Sequence, residues 1–232
     1  MTAVVKVKIC GITRVADGLA ALDGGADYLG FILYPPSPRA VTAEDVAAIV
    51  DSLHDARPAL FARPEPPLLV GVFVNEIAED MAAVLDGCRL DLAQLSGNEA
   101  AHLLTEPTSP LAGRAYKAIR PATLADALTL SNRYAMPDLA DRSPHMPQLL
   151  LDTPHGHLYG GSGQTGDWAL AAELATAMPR LMLAGGLNPD NVAQAVRQAQ
   201  PYAVDVAGGV EAAPGVKDHD RVRTFISRAK TA

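Results

Sequence analysis

A cysteine that closes an apolar run and is followed at once by glycine is well placed for acid–base chemistry. Cys10 has that setting, in Val4-Val5-Lys6-Val7-Lys8-Ile9-Cys10-Gly11. A thiol with an ordinary pKa of about 8.5 needs only modest tuning to become a thiolate base or nucleophile. Asp152 follows another apolar run, Gln148–Leu151. A carboxyl there can serve as a general acid if its surroundings raise its pKa. Two glycine pairs, Gly185-Gly186 and Gly208-Gly209, follow the last two apolar runs. Glycine lets backbone N–H groups come close to an anion, and the two pairs together point to a bound phosphate. Asp205, at the end of the last run, joins this substrate-binding set. Arg39 follows Pro35-Pro36-Ser37-Pro38, a stiff lead that pre-positions a guanidinium for a carboxylate.

Each residue also has a plainer reading. Cys10 can be a small buried hydrophobe, Asp152 a cap for backbone amides, the glycines tight turns and Arg39 a solvated loop residue. Lys117 is either a Schiff-base nucleophile or a charge partner inside the rim. His155 and His157 have metal-ligand spacing, but no third ligand converges on them in sequence, so no metal site is expected. Cys88, in Gly87-Cys88-Arg89, is read as structural.

The elements that must carry these residues alternate. Apolar runs recur at Val4–Ile9, Tyr28–Leu33, Leu68–Val74, Leu90–Leu95, Tyr116–Ile119, Gln148–Leu151, Arg180–Ala184 and Ala203–Val206. Between most of them lie alanine-rich stretches of helical spacing: Ala16–Leu22, Ala43–Leu53, Ile77–Leu85, Leu124–Asn132, Trp168–Met178, Asn191–Gln200 and Asp218–Lys230. Thr42 with Asp45 resembles a capping box, and Pro189 suits a first helical turn. Strand alternating with helix implies parallel strands joined by crossovers. Eight such units in 232 residues predict a single-domain α/β (β/α)8 barrel spanning residues 1–232. The alternative, an open doubly wound sheet, would carry its glycine-rich phosphate loop early. Here the glycine pairs come late. His54–Pro67 is expected to be an irregular loop and Arg133–Pro147 an insertion. In a barrel the chemistry sits at the C-terminal strand ends, where Cys10, Arg39, Asp152 and both glycine pairs fall.

Composition narrows the class. With 49% hydrophobic and 19% charged residues the chain can build a sizeable core. A net charge of −7 argues against a nucleic-acid binder, though a local site can still hold a small anion. Two cysteines give no disulfide framework. Lys6 and Lys8 interrupt the N-terminal apolar run, and no run approaches the roughly 20 residues of a membrane helix. A cytoplasmic protein without membrane contact is expected.

In order along nearly the whole chain stand KICGIT, GADYLGFILYPPSPR, VGVFVN, QLSG, LLLDT with GGSGQTGDW, LAGGLNPDNV, and DVAGGVE with PGVKD. This ordered set resembles the phosphoribosylanthranilate isomerase family of tryptophan biosynthesis. The resemblance implies an Amadori rearrangement of an aminoaldose phosphate to an aminoketose phosphate, with no cofactor and no metal. It makes Cys10 the general base and Asp152 the general acid. It sets Arg39 near the anthranilate end and the glycines of strands 7 and 8 at the phosphate. A phosphosugar substrate and a monomer or homodimer follow from it. Departures from the family pattern are Ala207 in place of serine, Gln164 in place of lysine, Gly166 in place of phenylalanine and Ser96 in place of histidine. A histidine-pathway isomerase of similar barrel is the nearest rival, but that family has aspartate where Cys10 stands. A non-catalytic phosphate-binding barrel would need neither the thiol nor the acid, and a Schiff-base aldolase would depend on Lys117.

Overall fold

The computed structural model describes residues 4–134, 145–152 and 168–232. Eight parallel strands close into a barrel in sequential order, β1 (Lys6–Cys10), β2 (Tyr28–Ile32), β3 (Leu68–Phe73), β4 (Leu92–Leu95), β5 (Ala115–Ile119), β6 (Leu149–Asp152), β7 (Leu181–Ala184) and β8 (Ala203–Val206). Each begins and ends within about two residues of its apolar run. Both faces are covered, one by helices and one by the barrel interior, so the strands read as near-continuous hydrophobic runs rather than alternating ones.

The helices between them are α1 (Val15–Asp23), α2 (Ala43–Ala56), α3 (Pro58–Phe61), α4 (Ala78–Gly87), α5 (His102–Thr105), α6 (Leu124–Tyr134), α7 (Trp168–Ala177), α8 (Val192–Ala199) and α9 (His219–Lys230). The capping box of α2 forms as the spacing predicts. Asp45 N–H donates to Thr42 Oγ1 at 3.1 Å, and Thr42 N–H donates to Asp45 Oδ2 at 3.3 Å. Asp218 caps α9 by accepting from the N–H groups of Asp220 and Arg221. Burial along one stripe fixes each helix to the barrel. In α2 the stripe is Val46, Ile49, Val50 and Leu53, each contributing about 1.5–3 kcal/mol when removed from water.

Three details differ from the sequence reading. The stretch His54–Pro67 is not wholly irregular: α2 runs on to Ala56, and α3 starts at Pro58, where a missing N–H costs nothing in a first turn. Pro189 precedes α8 instead of opening it, because the Asn188 side chain turns the chain first by accepting from Asp190 N–H. A short antiparallel ribbon, β9 (Glu211–Ala213) with β10 (Val216–Lys217), follows β8 and has no signature beyond Gly215. Most of the Arg133–Pro147 segment lies outside the described residues, as do His155, His157, Gln164 and Gly166. Among the described residues no helix is long and apolar enough to cross a membrane.

Candidate active site

Parallel closure puts all eight C-terminal strand ends on one rim. That rim carries Cys10 as the last residue of β1, Asp152 as the last of β6, Asp205 within β8, Arg39 beyond β2, and the glycine pairs beyond β7 and β8. The candidates drawn from the sequence therefore share one mouth of the barrel.

Beneath Cys10 the interior is charged. Lys8 precedes it by two residues, and strand alternation turns both side chains the same way. Lys8 is wholly buried; its Nζ donates to Asp205 Oδ1 at 2.9 Å and Gln94 Oε1 at 2.8 Å. Tyr116 Oη donates to the same Gln94 oxygen at 2.9 Å. These four residues form a polar layer from β1, β4, β5 and β8. Cys10 itself is only 5% exposed. Burial pushes its thiol pKa up, the Lys8 ammonium pulls it down, and Asp205 pushes it up again; the net displacement is upward. Asp205, read as a substrate ligand, has one oxygen engaged by Lys8.

Arg39 is not a solvated loop residue. Its Nε and Nη2 grip Glu211 Oε1 and Oε2 at 2.8 and 2.7 Å. Lys217 Nζ donates to the same carboxylate at 2.9 Å and to the Ala207 carbonyl at 3.1 Å. Burial would raise the Glu211 pKa, but Arg39 and Lys217 outweigh it and hold the carboxyl below the usual range. The stiff proline segment and the ribbon after β8 thus meet across the rim. The Arg39 edge bearing Nη1 makes no hydrogen bond among the described residues.

Asp152 carries a guanidinium. Arg120 Nε donates to its Oδ2 at 2.7 Å, and Arg120 Nη1 donates to the Ser96 carbonyl at 3.2 Å. The Arg120 guanidinium orients the Asp152 carboxyl from the neighbouring strand end. Lys117 turns out to be a charge partner. Its Nζ donates to the carbonyls of Leu95, Gly97 and Ala118 at 2.9, 2.7 and 3.0 Å and lies 3.1 Å from Glu99 Oε2. An ammonium so enclosed is not presented to the mouth. It clamps the loop after β4, whose Ser96 carbonyl in turn holds Arg120.

The two glycine pairs differ. Gly185 and Gly186 have φ of 99° and 60°, the left-handed region that glycine adopts at least cost. The Gly186 carbonyl accepts from Asn191 Nδ2 at 2.9 Å, which ties the turn to the start of α8. At Gly209 the issue is space, since a Cβ there would stand 1.9 Å from the Leu187 carbonyl oxygen. The loops after β7 and β8 are therefore in direct backbone contact, as a shared anion cradle requires. The glycine-rich loop after β6 lies outside the described residues. Among the described residues no cluster of three or more His, Cys, Asp or Glu side chains could hold a metal ion.

Sequence reasoning assigned no role in this site to Lys8, Gln94, Glu211, Lys217 or Glu99. Lys8 had a readable signal, a charge alternating with Cys10 inside an apolar strand. The others have their partners 86, 172, 6 and 18 to 24 residues away and give no local mark.

A family model described as N-(5'phosphoribosyl)anthranilate (PRA) isomerase matches residues 7–228. The N-(5'-phosphoribosyl)anthranilate isomerase of Trichlorobacter lovleyi is 43% identical over 230 residues, covering 98% of this chain and 99% of that one. The crystal structure of phosphoribosyl anthranilate isomerase from Thermotoga maritima superposes with a TM-score of 0.79 at 39% identity, covering 98% and 100% of the two chains. A phosphoribosyl anthranilate isomerase in complex with reduced 1-(o-carboxyphenylamino)-1-deoxyribulose 5-phosphate superposes with a TM-score of 0.75 at 35% identity, again covering 98% and 100%.

Proposed function

Because the chain belongs to the N-(5'-phosphoribosyl)anthranilate isomerase family, we propose that it performs that family's reaction with Cys10 as general base and Asp152 as general acid. The reaction is the isomerisation of N-(5-phosphoribosyl)anthranilate to 1-(o-carboxyphenylamino)-1-deoxyribulose 5-phosphate in tryptophan biosynthesis. The whole chain acts as one catalytic barrel domain on a phosphosugar.

The steps follow from the strand ends. Asp152, oriented by Arg120, gives its proton to the furanose ring oxygen. The bond from C1 to that oxygen breaks, the aniline nitrogen donates its lone pair to C1, and an open-chain protonated Schiff base results. The Cys10 thiolate removes the proton from C2, and that C–H pair becomes the C1–C2 double bond of an enolamine as the iminium is neutralised. Protonation at C1 and loss of the C2 hydroxyl proton give the ketone. Electron push comes from the substrate's own nitrogen. Arg39 offers its remaining guanidinium edge to the anthranilate carboxylate, and the loops carrying Gly185, Gly186, Gly208 and Gly209 hold the phosphate through backbone N–H groups. Asp205 acts from beneath, through Lys8.

The observation that carries the reading is the presence of a thiol and a carboxyl as the last residues of β1 and β6, on the rim that also bears both glycine loops. Fluorescence loss of freshly made phosphoribosylanthranilate tests it. Cys10→Ala and Asp152→Ala should each lose about 10²–10⁴-fold in turnover, and Cys88→Ala should stay near wild type. Full activity in Cys10→Ala would sink the assignment.

A further inference from the structure

A barrel interior is ordinarily filled by branched apolar side chains. The layer under Cys10 instead holds an ammonium with no exposure at all, and an apolar replacement would often be as stable or more so. Its persistence calls for a use. An ammonium has three N–H donors. Two go to Asp205 and Gln94, at 2.9 and 2.8 Å. Cys10 stands two residues on along the same strand, so its side chain leaves the same face as that of Lys8. Gln94 is itself fixed, since it accepts from Tyr116 Oη and donates to Ser96 Oγ at 3.1 Å, so its oxygen stays aimed at Lys8. The thiol and the lysine stem lie over one patch of bare backbone. A Cβ on Gly30 would stand 2.7 Å from Cys10 Sγ and 3.1 Å from Lys8 Cε.

Other ionisable groups face the sulfur as well. They are Asp205 on β8, Lys217 on β10, Tyr116 on β5 and Arg39 from beyond β2. Burial opposes a charge on Lys8, but Asp205 outweighs it, so the ammonium persists at every ordinary pH. Of the cations near the thiol, Lys8 exerts the largest effect.

We propose that Lys8 is the positioning residue of Cys10: its fixed ammonium, held by Asp205 and Gln94, orients the sulfur and makes the thiolate available to take a proton. The inference rests on Cys10 being the base. Asp205 has an opposing part. It anchors Lys8, and its carboxylate also repels the thiolate.

The test follows the thiol directly. In a Cys88→Ala background the only cysteine is Cys10, and ¹³Cβ-cysteine labelling reports its titration by NMR without substrate. Lys8→Met with Asp205→Asn removes the buried pair together and leaves no unpaired charge. The Cys10 titration should then move up, though by less than the roughly 1–3 pH units that losing the cation alone would give, because the opposing carboxylate goes with it. The acid limb of the turnover–pH profile should move with it. Asp205→Asn alone should move the titration down, because the cation then acts unopposed. A titration that stays put in the double variant, or fails to fall in Asp205→Asn, overturns the proposal. If the double variant does not fold, Lys8→Gln with Asp205→Asn takes its place, with the same rise expected and an unmoved titration again overturning the proposal. Turnover of Cys10→Ser is measured alongside: if it is active, Cys10 is not the base, whatever the titrations show.

Discussion

Replacing Gly209 with alanine probes the anion cradle at its tightest point. The new Cβ would begin 1.9 Å from the Leu187 carbonyl oxygen. Carbon–oxygen contacts settle at about 3.3–3.6 Å, so the two loops must part by about 1.4 Å or more. The carbonyl cannot yield alone. Leu187 is buried, the next N–H, that of Asn188, is bound to Asn191 Oδ1 at 2.8 Å, and Asn191 also holds the Gly186 carbonyl. Overpacking of this kind costs about 1–3 kcal/mol. For a chain of this length that lowers Tm by roughly 2–12 °C. Opening the cradle by that much should also break at least one charge-assisted hydrogen bond to the phosphate, worth about 1.5–3 kcal/mol. The inhibition constant for inorganic phosphate should therefore rise about 10- to 100-fold. Gly208→Ala is the milder comparison and should have a smaller effect on both readings. Its Cβ would meet Arg39 Nη2 at 3.1 Å, and a guanidinium on a flexible stem can move aside. Calorimetry and competition by phosphate measure both variants. A fall in Tm with unchanged phosphate inhibition in Gly209→Ala would mean that the glycine serves packing alone, and the phosphate assignment of that loop would be lost.

Two further outcomes follow from the rim. Arg39→Ala should raise KM about 10- to 100-fold with little change in kcat, and Glu211→Gln should raise it less, because Lys217 and the proline segment still hold the loop; steady-state kinetics with an unchanged KM in Arg39→Ala would remove the carboxylate role. Glu99 should give a visible acid limb in stability. Burial favours its neutral form, but the Asn75 N–H and the Lys117 ammonium outweigh burial and hold its pKa below the usual range. Its contribution is therefore present above the unfolded value of about 4.3 and is lost as pH falls through the lower folded value. Urea unfolding between about pH 5 and pH 2 should show a shallower acid loss in Glu99→Gln than in wild type; identical slopes would exclude the Glu99 contribution.

Much of the fold is legible because it rests on short-range rules. Strand runs such as Leu181–Ala184 are apolar because parallel barrel strands are covered on both faces. Thr42 and Asp45 cap a helix because a side-chain oxygen satisfies an orphan amide three residues on. Cys10, Arg39 and Asp152 are readable as rim residues because a strand end marks the mouth of a barrel wherever it falls. The irregular breaks were less legible. Pro58 opens a turn of helix inside a stretch rich in prolines, and the side chain of Asn188 delays α8 past Pro189. Propensity alone does not say which local bond wins there.

Who faces whom inside the rim was decided only by closure. Lys8 meets Asp205 because β1 and β8 become neighbours when the sheet joins its own edge, 197 residues apart in the chain. Arg39 meets Glu211 for the same reason, whereas Asp152 meets Arg120 because β5 and β6 lie side by side. Sequence determined which groups stand at the strand ends, since alternation and burial act over a few residues. Tertiary structure decided their partners and orientations, since an electrostatic neighbour is set by distance in space and not by position in the chain.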